Sequence, residues 1–263
     1  MKAMKNVTVI KIGGSTLGSG DTTIEDIVAL QKKGAPLVVV HGGGNAVTAW
    51  LKRQGVATKF VRGERVTDLP TLEVATAVLA GLVNKEIVAA VNVRGGKAIG
   101  ISGVDGALIE GKMKSREMGY VGTVARVNPA LLETLLQGGF VPVVSPISLY
   151  AVDRPADAAG IININADPIA GDIAAALGAA RLVFLTDVPG INDASGRLIP
   201  RLSAAEVESL AASGVISGGM IPKIDACLKA LNEGTITRII DGRKPHALLK
   251  EVQGQDGGTT IYK

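Results

Sequence analysis

The stretch Val7–Thr16, VTVIKIGGST, constrains the fold more than any other. Val7, Thr8, Val9 and Ile10 are β-branched and nearly free of polar groups, the composition of a buried strand. Lys11 closes that strand, and Gly13 and Gly14 follow. A lysine is costly to bury without an anion, and two glycines let backbone N–H groups approach a ligand with no Cβ in the way. Strand, cation and glycine turn in succession describe a phosphate cradle at the carboxyl edge of a sheet. A surface lysine beside an ordinary strand-to-helix turn is the other reading of the same residues.

The device recurs. Leu37–Val40, LVVV, runs into His41, Gly42, Gly43 and Gly44, and a helical pattern, Ala46–Gln54, follows. Near the end, Ser217-Gly218-Gly219-Met220-Ile221-Pro222-Lys223 opens a helix over Pro222–Asn232. Helix starts favour anions through unpaired N–H groups and the helix dipole. The His41–Gly44 run lacks the G-x-G-x-x-G dinucleotide fingerprint, and the chain has no G-x-x-x-x-G-K-[ST] phosphate loop. Further strands at Lys97–Ile101, Phe140–Val144, Arg181–Thr186, Thr235–Ile240 and Gly258–Ile261 alternate with helical stretches. This alternation predicts an α/β fold, a mostly parallel sheet with helices on both faces.

Insertions interrupt the alternation. Thr58–Thr67 reads as a hairpin carrying Lys59, Arg62 and Arg65. An arginine there can clamp a carboxylate in bidentate fashion, or lie on a solvated edge. Leu108–Met113 and Val121–Val127 read as a strand pair, and Ser145–Ile162 as a further hairpin. A long helix, Thr71–Val93, is apolar over a broad face; core packing accounts for one side and a dimer interface for the remainder. In IININADPIAGD, Asn163 and Asn165 face one side of a strand end, and Asp167–Pro168 reads as N-cap and first helical residue of Ile169–Leu177. The same asparagines and aspartate also make a polar pocket.

Composition sets bounds on function. The 263 residues suffice for one large α/β unit or two fused lobes. A net charge of +4 without a basic run, and 3% aromatic residues, give little support to nucleic-acid binding. Cys227 is a lone cysteine in a helical Ala/Leu pattern, which fits a buried thiol in a reducing compartment. Two histidines, His41 and His246, are too few for a multi-histidine metal site. The first residues lack a signal-peptide pattern, and Asn84, Lys85 and Glu86 interrupt the long helix. The expectation is a soluble cytoplasmic protein with no metal site of its own.

Two lysines beside glycine pairs, Lys11 and Lys223, with a third glycine cluster at Gly42–Gly44, are the inventory of phosphoryl transfer. The moving group spreads its charge over equatorial oxygens, and the protein mainly positions and neutralises it. Asp167 can orient both lysines and keep them protonated. A carboxylate acceptor is already ionised at neutral pH, so no general base is then required.

At this point VIKIGGS, VVVHGGG, GERVTD, NKEIV, ISGVDG, IININADPIAGDIAAAL, LTDVPGI, ISGGMIPK and IIDGRKPHALL, in order along nearly the whole chain, resemble the amino-acid kinase superfamily, and within it the acetylglutamate kinases. The resemblance implies a three-layer α/β/α sandwich around a mostly parallel central sheet. It implies an N-terminal lobe, 1–178, for the acyl amino acid and dimerisation, and a C-terminal lobe, 179–263, for the nucleotide. It also implies ATP with Mg²⁺ as co-substrate, N-acetyl-L-glutamate as acceptor, a homodimer and no tightly bound cofactor. By matching position, Lys11 and Lys223 resemble the transition-state lysines and Asp167 their organiser. Gly43, Gly44, Arg65 and Asn163 resemble the acyl-amino-acid site. Gly13 and Gly14, with Thr186, Asp187 and Gly190 and with Val215, Ile216, Ser217, Gly218 and Met220, resemble the nucleotide site. Two departures stand out. Asn45 replaces a frequent proline, as in kinases of carrier-linked aminoadipate. Six residues precede the first strand, where arginine-inhibited members carry an extra helix, so the expectation is an arginine-insensitive dimer. A non-catalytic sensor on this scaffold would have lost a transfer group, and Lys11, Lys223 and Asp167 are all present.

Overall fold

Strand β1 (Thr8–Ile12) is the hub of the molecule, pairing in parallel with β2 (Leu37–His41) on one side and β11 (Arg181–Thr186) on the other. The structure is a computed structural model and describes residues 6–13, 22–61, 64–231, 234–255 and 257–263. Beyond β2 lie β8 (Val141–Ser145) and then β5 (Ala98–Ser102) at one sheet edge. Beyond β11 lie β13 (Ile236–Asp241), β14 (Thr259–Tyr262) and β12 (Arg201–Ser203). Only the β13–β14 pair in this eight-stranded sheet is antiparallel.

The strands are buried on both faces, which explains their unbroken apolar runs. Val38, Val40, Leu182 and Phe184 face one core, shared with α4 (Ala130–Gln137), α5 (Ala166–Leu177), α6 (Ala204–Ala212) and α7 (Ile221–Leu231). Ile10, Ile12, Leu37, Val39 and Val183 face the opposite core, shared with α1 (Thr23–Lys32), the long helix α3 (Leu69–Val93) and α8 (Ala247–Val252). The result is the expected three-layer sandwich. Cys227 is fully buried on α7, and burial pushes its thiol up to about 12, as a structural role requires.

The segment 145–162 departs from the expected simple hairpin. Strand β9 (Ile147–Val152) pairs antiparallel with β10 (Ile161–Ile164) and also in parallel with β6 (Ile109–Met113). With β7 (Val121–Val127) these strands close into a second, four-stranded sheet. The hairpin of β3 (Phe60–Val61) and β4 (Glu64–Arg65) stands apart.

Helix α3 is long and apolar enough to cross a membrane by length and composition. Here it lies on the sheet with Leu72, Val78, Ile87 and Val91 buried in the core. Its Asn84, read from sequence as an interruption, is fully buried and hydrogen-bonded. Its middle, Ala77–Val83, is a π-helix, which the apolar spacing did not signal.

Candidate active site

Side chains alternate along β1, so Lys11 shares the face of Val9 and points towards α5, opposite Ile10 and Ile12. The start of α5 differs from the sequence expectation. Asn165 is the N-cap, its side chain accepting from Asp167 N at 3.0 Å, so the helix begins at Ala166 and Pro168 falls inside the first turn. With Asn165 satisfying that N–H, the carboxylate of Asp167 is available for other partners. Lys11 Nζ lies 2.6 Å from Asp167 Oδ1, and Lys223 Nζ lies 2.9 Å from Asp167 Oδ2.

Lys223 reaches Asp167 because α5 and α7 pack very closely. A Cβ on Gly171 would lie 2.7 Å from the Ala226 carbonyl oxygen, so only glycine permits this approach. Lys223 Nζ also donates to the Gly219 carbonyl at 3.0 Å, tying the 3₁₀ turn Gly218–Met220 to the same centre. The side chains of Lys11, Asp167 and Lys223 are 9%, 5% and 18% exposed. Two cations on one carboxylate leave a buried excess of positive charge, which an arriving anion would neutralise.

Beside this centre lies a cleft of ≈ 290 Å³ whose walls include Lys11, Gly43, Gly44, Arg65, Asn163 and Asn165. Every residue expected at the acyl-amino-acid site is thus gathered in one place. Helix α2 (Gly44–Arg53) begins inside the glycine run, with Gly43 as N-cap at φ 151°, a conformation that favours glycine. Arg65 Nη2 donates to the Gly44 carbonyl at 3.0 Å and to Thr48 Oγ1 at 2.7 Å, and its guanidinium lies 4.8 Å from the Phe60 ring centre. Arg65 Nη1 is buried with no hydrogen-bond partner among the described residues. An orphaned charged donor on a cleft wall calls for an anionic acceptor. Burial also lowers the Arg65 pKa from its ordinary value.

Phe60, Leu79, Val121 and Pro146 are among the other walls and went unnoticed in the sequence. They come from the small hairpin, the π segment, β7 and the bend between β8 and β9, and no local pattern announces their meeting.

Thr186, Asp187 and Gly190 lie at and after the end of β11, across β1 from the glycine run that follows β2, and among the described residues the cleft walls include none of the expected nucleotide residues. Thr186 closes β11, its Oγ1 2.9 Å from the Val188 carbonyl and 3.1 Å from that of Ile240. Asp187 is exposed and Gly190 buried. Gly13 N donates to the Leu185 carbonyl at 3.3 Å, and Gly14 lies outside the described residues. Ser217 precedes the Gly218–Met220 turn, Val215 is 36% exposed, and Ile216 is 4% exposed within the core.

His41, at the head of the glycine run, is fully buried, and burial pulls its pKa from 6.5 to about 4. Between those values the unfolded chain binds a proton that the native state refuses. Stability therefore rises with pH through this window and is lost as pH falls through it. The expected loss from this group is about 3 kcal/mol between neutral pH and pH near 4. Urea unfolding at the two pH values measures it, and a His41→Asn variant should lack this component.

Residues 6–241 match the amino acid kinase family. The chain is 49% identical to the acetylglutamate kinase of Dehalococcoides mccartyi (strain CBDB1), over 99% of this chain and 96% of that one. Among solved structures, smu.665 from Streptococcus mutans UA159 is similar with a TM-score of 0.83 and 28% identity, over 98% of this chain and 99% of that one. The N-acetylglutamate synthase of Neisseria gonorrhoeae, complexed with coenzyme A and N-acetyl-glutamate, is similar with a TM-score of 0.84 and 26% identity, over 100% of this chain and 60% of that one. By this match along its length, the chain belongs to the amino acid kinase family and, within it, to the acetylglutamate kinases.

Proposed function

We propose that the protein transfers the γ-phosphoryl group of ATP to the side-chain carboxylate of N-acetyl-L-glutamate, giving N-acetyl-L-glutamyl 5-phosphate and ADP for arginine biosynthesis. The observation that carries this reading is the buried Lys11–Asp167–Lys223 centre beside the glycine-walled cleft. A carboxylate oxygen of the acceptor attacks the γ-phosphorus, and the bond from that phosphorus to the bridging oxygen of ADP breaks. Lys11 and Lys223 neutralise charge on the moving group, and Asp167 holds both in place. Gly43 and Gly44 offer backbone N–H groups, Arg65 takes the α-carboxylate, and Asn163 hydrogen-bonds the acyl amino acid.

On the nucleotide side, Gly13 and Gly14 with Thr186, Asp187, Gly190 and 215–220 receive ATP. Mg²⁺ enters on its phosphates as part of the substrate. Residues 1–178 then form the acyl-amino-acid lobe and 179–263 the nucleotide lobe. Asn45 is exposed and absent from the cleft walls, so this departure does not favour an aminoadipate substrate. The reading extends to a cytoplasmic homodimer joined through α3, whose Leu82 and Val93 are 39% and 85% exposed, next to the sheet-edge strand β5.

The test is ADP release with N-acetyl-L-glutamate against N-acetyl-L-glutamine, which lacks the nucleophilic carboxylate. Release should depend on the former; equal release with both would contradict the reading. Replacing Arg65 with leucine should raise the acceptor KM about 100-fold through loss of charge-assisted hydrogen bonds, with little change in the KM for ATP. Steady-state kinetics in both substrates checks this.

A further inference from the structure

His41 ends β2 immediately before the glycine run and is not itself a wall of the cleft. Its two ring nitrogens have partners of opposite kinds. Nδ1 lies 2.7 Å from the Gly42 carbonyl, which can only accept, so Nδ1 carries the proton. Nε2 is then an acceptor, and Asn84 Nδ2 donates to it at 3.2 Å. The Asn84 carboxamide is itself fixed. Its Nδ2 donates to the Val143 carbonyl at 2.9 Å, and its Oδ1 accepts from Lys85 Nζ at 3.0 Å. Exchanging oxygen and nitrogen would set acceptor against carbonyl and donor against ammonium. The edge strand is cut back to admit this group: a Cβ on Gly100 would lie 2.0 Å from Asn84 Oδ1.

The π segment supplies the geometry. Its i to i+5 hydrogen bonding brings residues five positions apart towards one face of the helix. Leu79 and Asn84 are such a pair, and both act on the glycine run. Asn84 holds His41, and Leu79 packs so closely on Gly43 that a Cβ there would lie 2.7 Å from Leu79 Cδ2.

The described residues contain no cis peptide bond, so the Gly42–Gly43 peptide is trans and planar, and its C=O and N–H point in opposite directions. Anchoring the Gly42 carbonyl on His41 therefore turns the Gly43 N–H to the other side. The remaining carbonyls of the run are also held: that of Gly43 by Val47 N at 3.1 Å, that of Gly44 by Arg65 and Thr48.

We propose that His41, kept in its Nδ1–H tautomer by Asn84, is a positioning residue that fixes the Gly42–Gly43 peptide so that the Gly43 N–H faces the acceptor and the moving phosphoryl group. This rests on the kinase reading above. Burial supports it by keeping the imidazole neutral.

The test has two arms. The chain has two histidines, so ¹⁵N-histidine spectra of the whole protein contain two ring systems, assigned with a His246→Asn variant. His41 should show a protonated Nδ1 and an unprotonated Nε2, unchanged across neutral pH. An Nε2–H signature overturns the inference. In the kinetic arm, His41→Asn keeps a donor at the Nδ1 position, whereas His41→Gln moves its amide to the Nε2 position. The glutamine variant should lose about tenfold more kcat/KM for the acceptor than the asparagine variant, the scale of one lost hydrogen bond. The KM for ATP should hold. Equal losses in the two variants, or losses that track their melting temperatures, overturn the inference. An inactive parent with the Nδ1–H signature would overturn the kinase reading instead.

Discussion

Replacing Lys223 with alanine lowers kcat by about 10³-fold, the scale of one lost electrostatic group in the transition state, and leaves the acceptor KM nearly unchanged. The separation of the two parameters follows from placement. Lys223 touches Asp167 and the Gly219 carbonyl but is not a wall of the acceptor cleft. Its loss removes charge from the reacting centre and leaves the surfaces that grip N-acetyl-L-glutamate intact. The fold survives, because Asp167 retains Lys11 at 2.6 Å and one buried cation still balances one buried carboxylate. Steady-state kinetics beside a melting curve checks this, and undiminished turnover would contradict the assigned role.

Changing Asp167 to leucine has the larger combined effect. It leaves two ammonium groups in the interior with no counter-charge, a defect worth about 3–5 kcal/mol. Turnover falls by at least about 10³-fold, because both lysines lose the group that orients them. The loss of stability should be partly reversed by sulfate or phosphate, since an anion restores the missing charge. Urea midpoints with and without phosphate measure it. A variant that melts like the parent and gains nothing from phosphate would show that the two lysines do not depend on Asp167.

The residues of this centre were legible in the sequence, though not for the right structural reason in every case. Lys11 and Lys223 stand out because a lysine next to two glycines recurs at a strand end and a helix start. Asp167 stands out as well, but Asp-Pro reads locally as N-cap and first helical residue. The helix in fact starts two residues earlier, with Asn165 as its cap, and this frees the carboxylate. The parallel sheet followed from buried apolar runs alternating with helices. The second sheet did not, because β9 gains a parallel partner in β6, far away in sequence. The π segment was hidden for a different reason. Its residues are as apolar as the α-helix around them, and only tertiary contact shows that Leu79 and Asn84 share a direction. Phe60 and Leu79 were missed as cleft walls because a hydrophobic residue bears no mark of what it will face.

The most direct measurement is to incubate the protein with MgATP and N-acetyl-L-glutamate and trap the acyl phosphate with hydroxylamine, with free glutamate, aspartate and α-aminoadipate derivatives in parallel. Hydroxamate should form with N-acetyl-L-glutamate, and little with the others. Hydroxamate only with a carrier-linked aminoadipate, or none with any acceptor while ATP still binds, would contradict the proposed function.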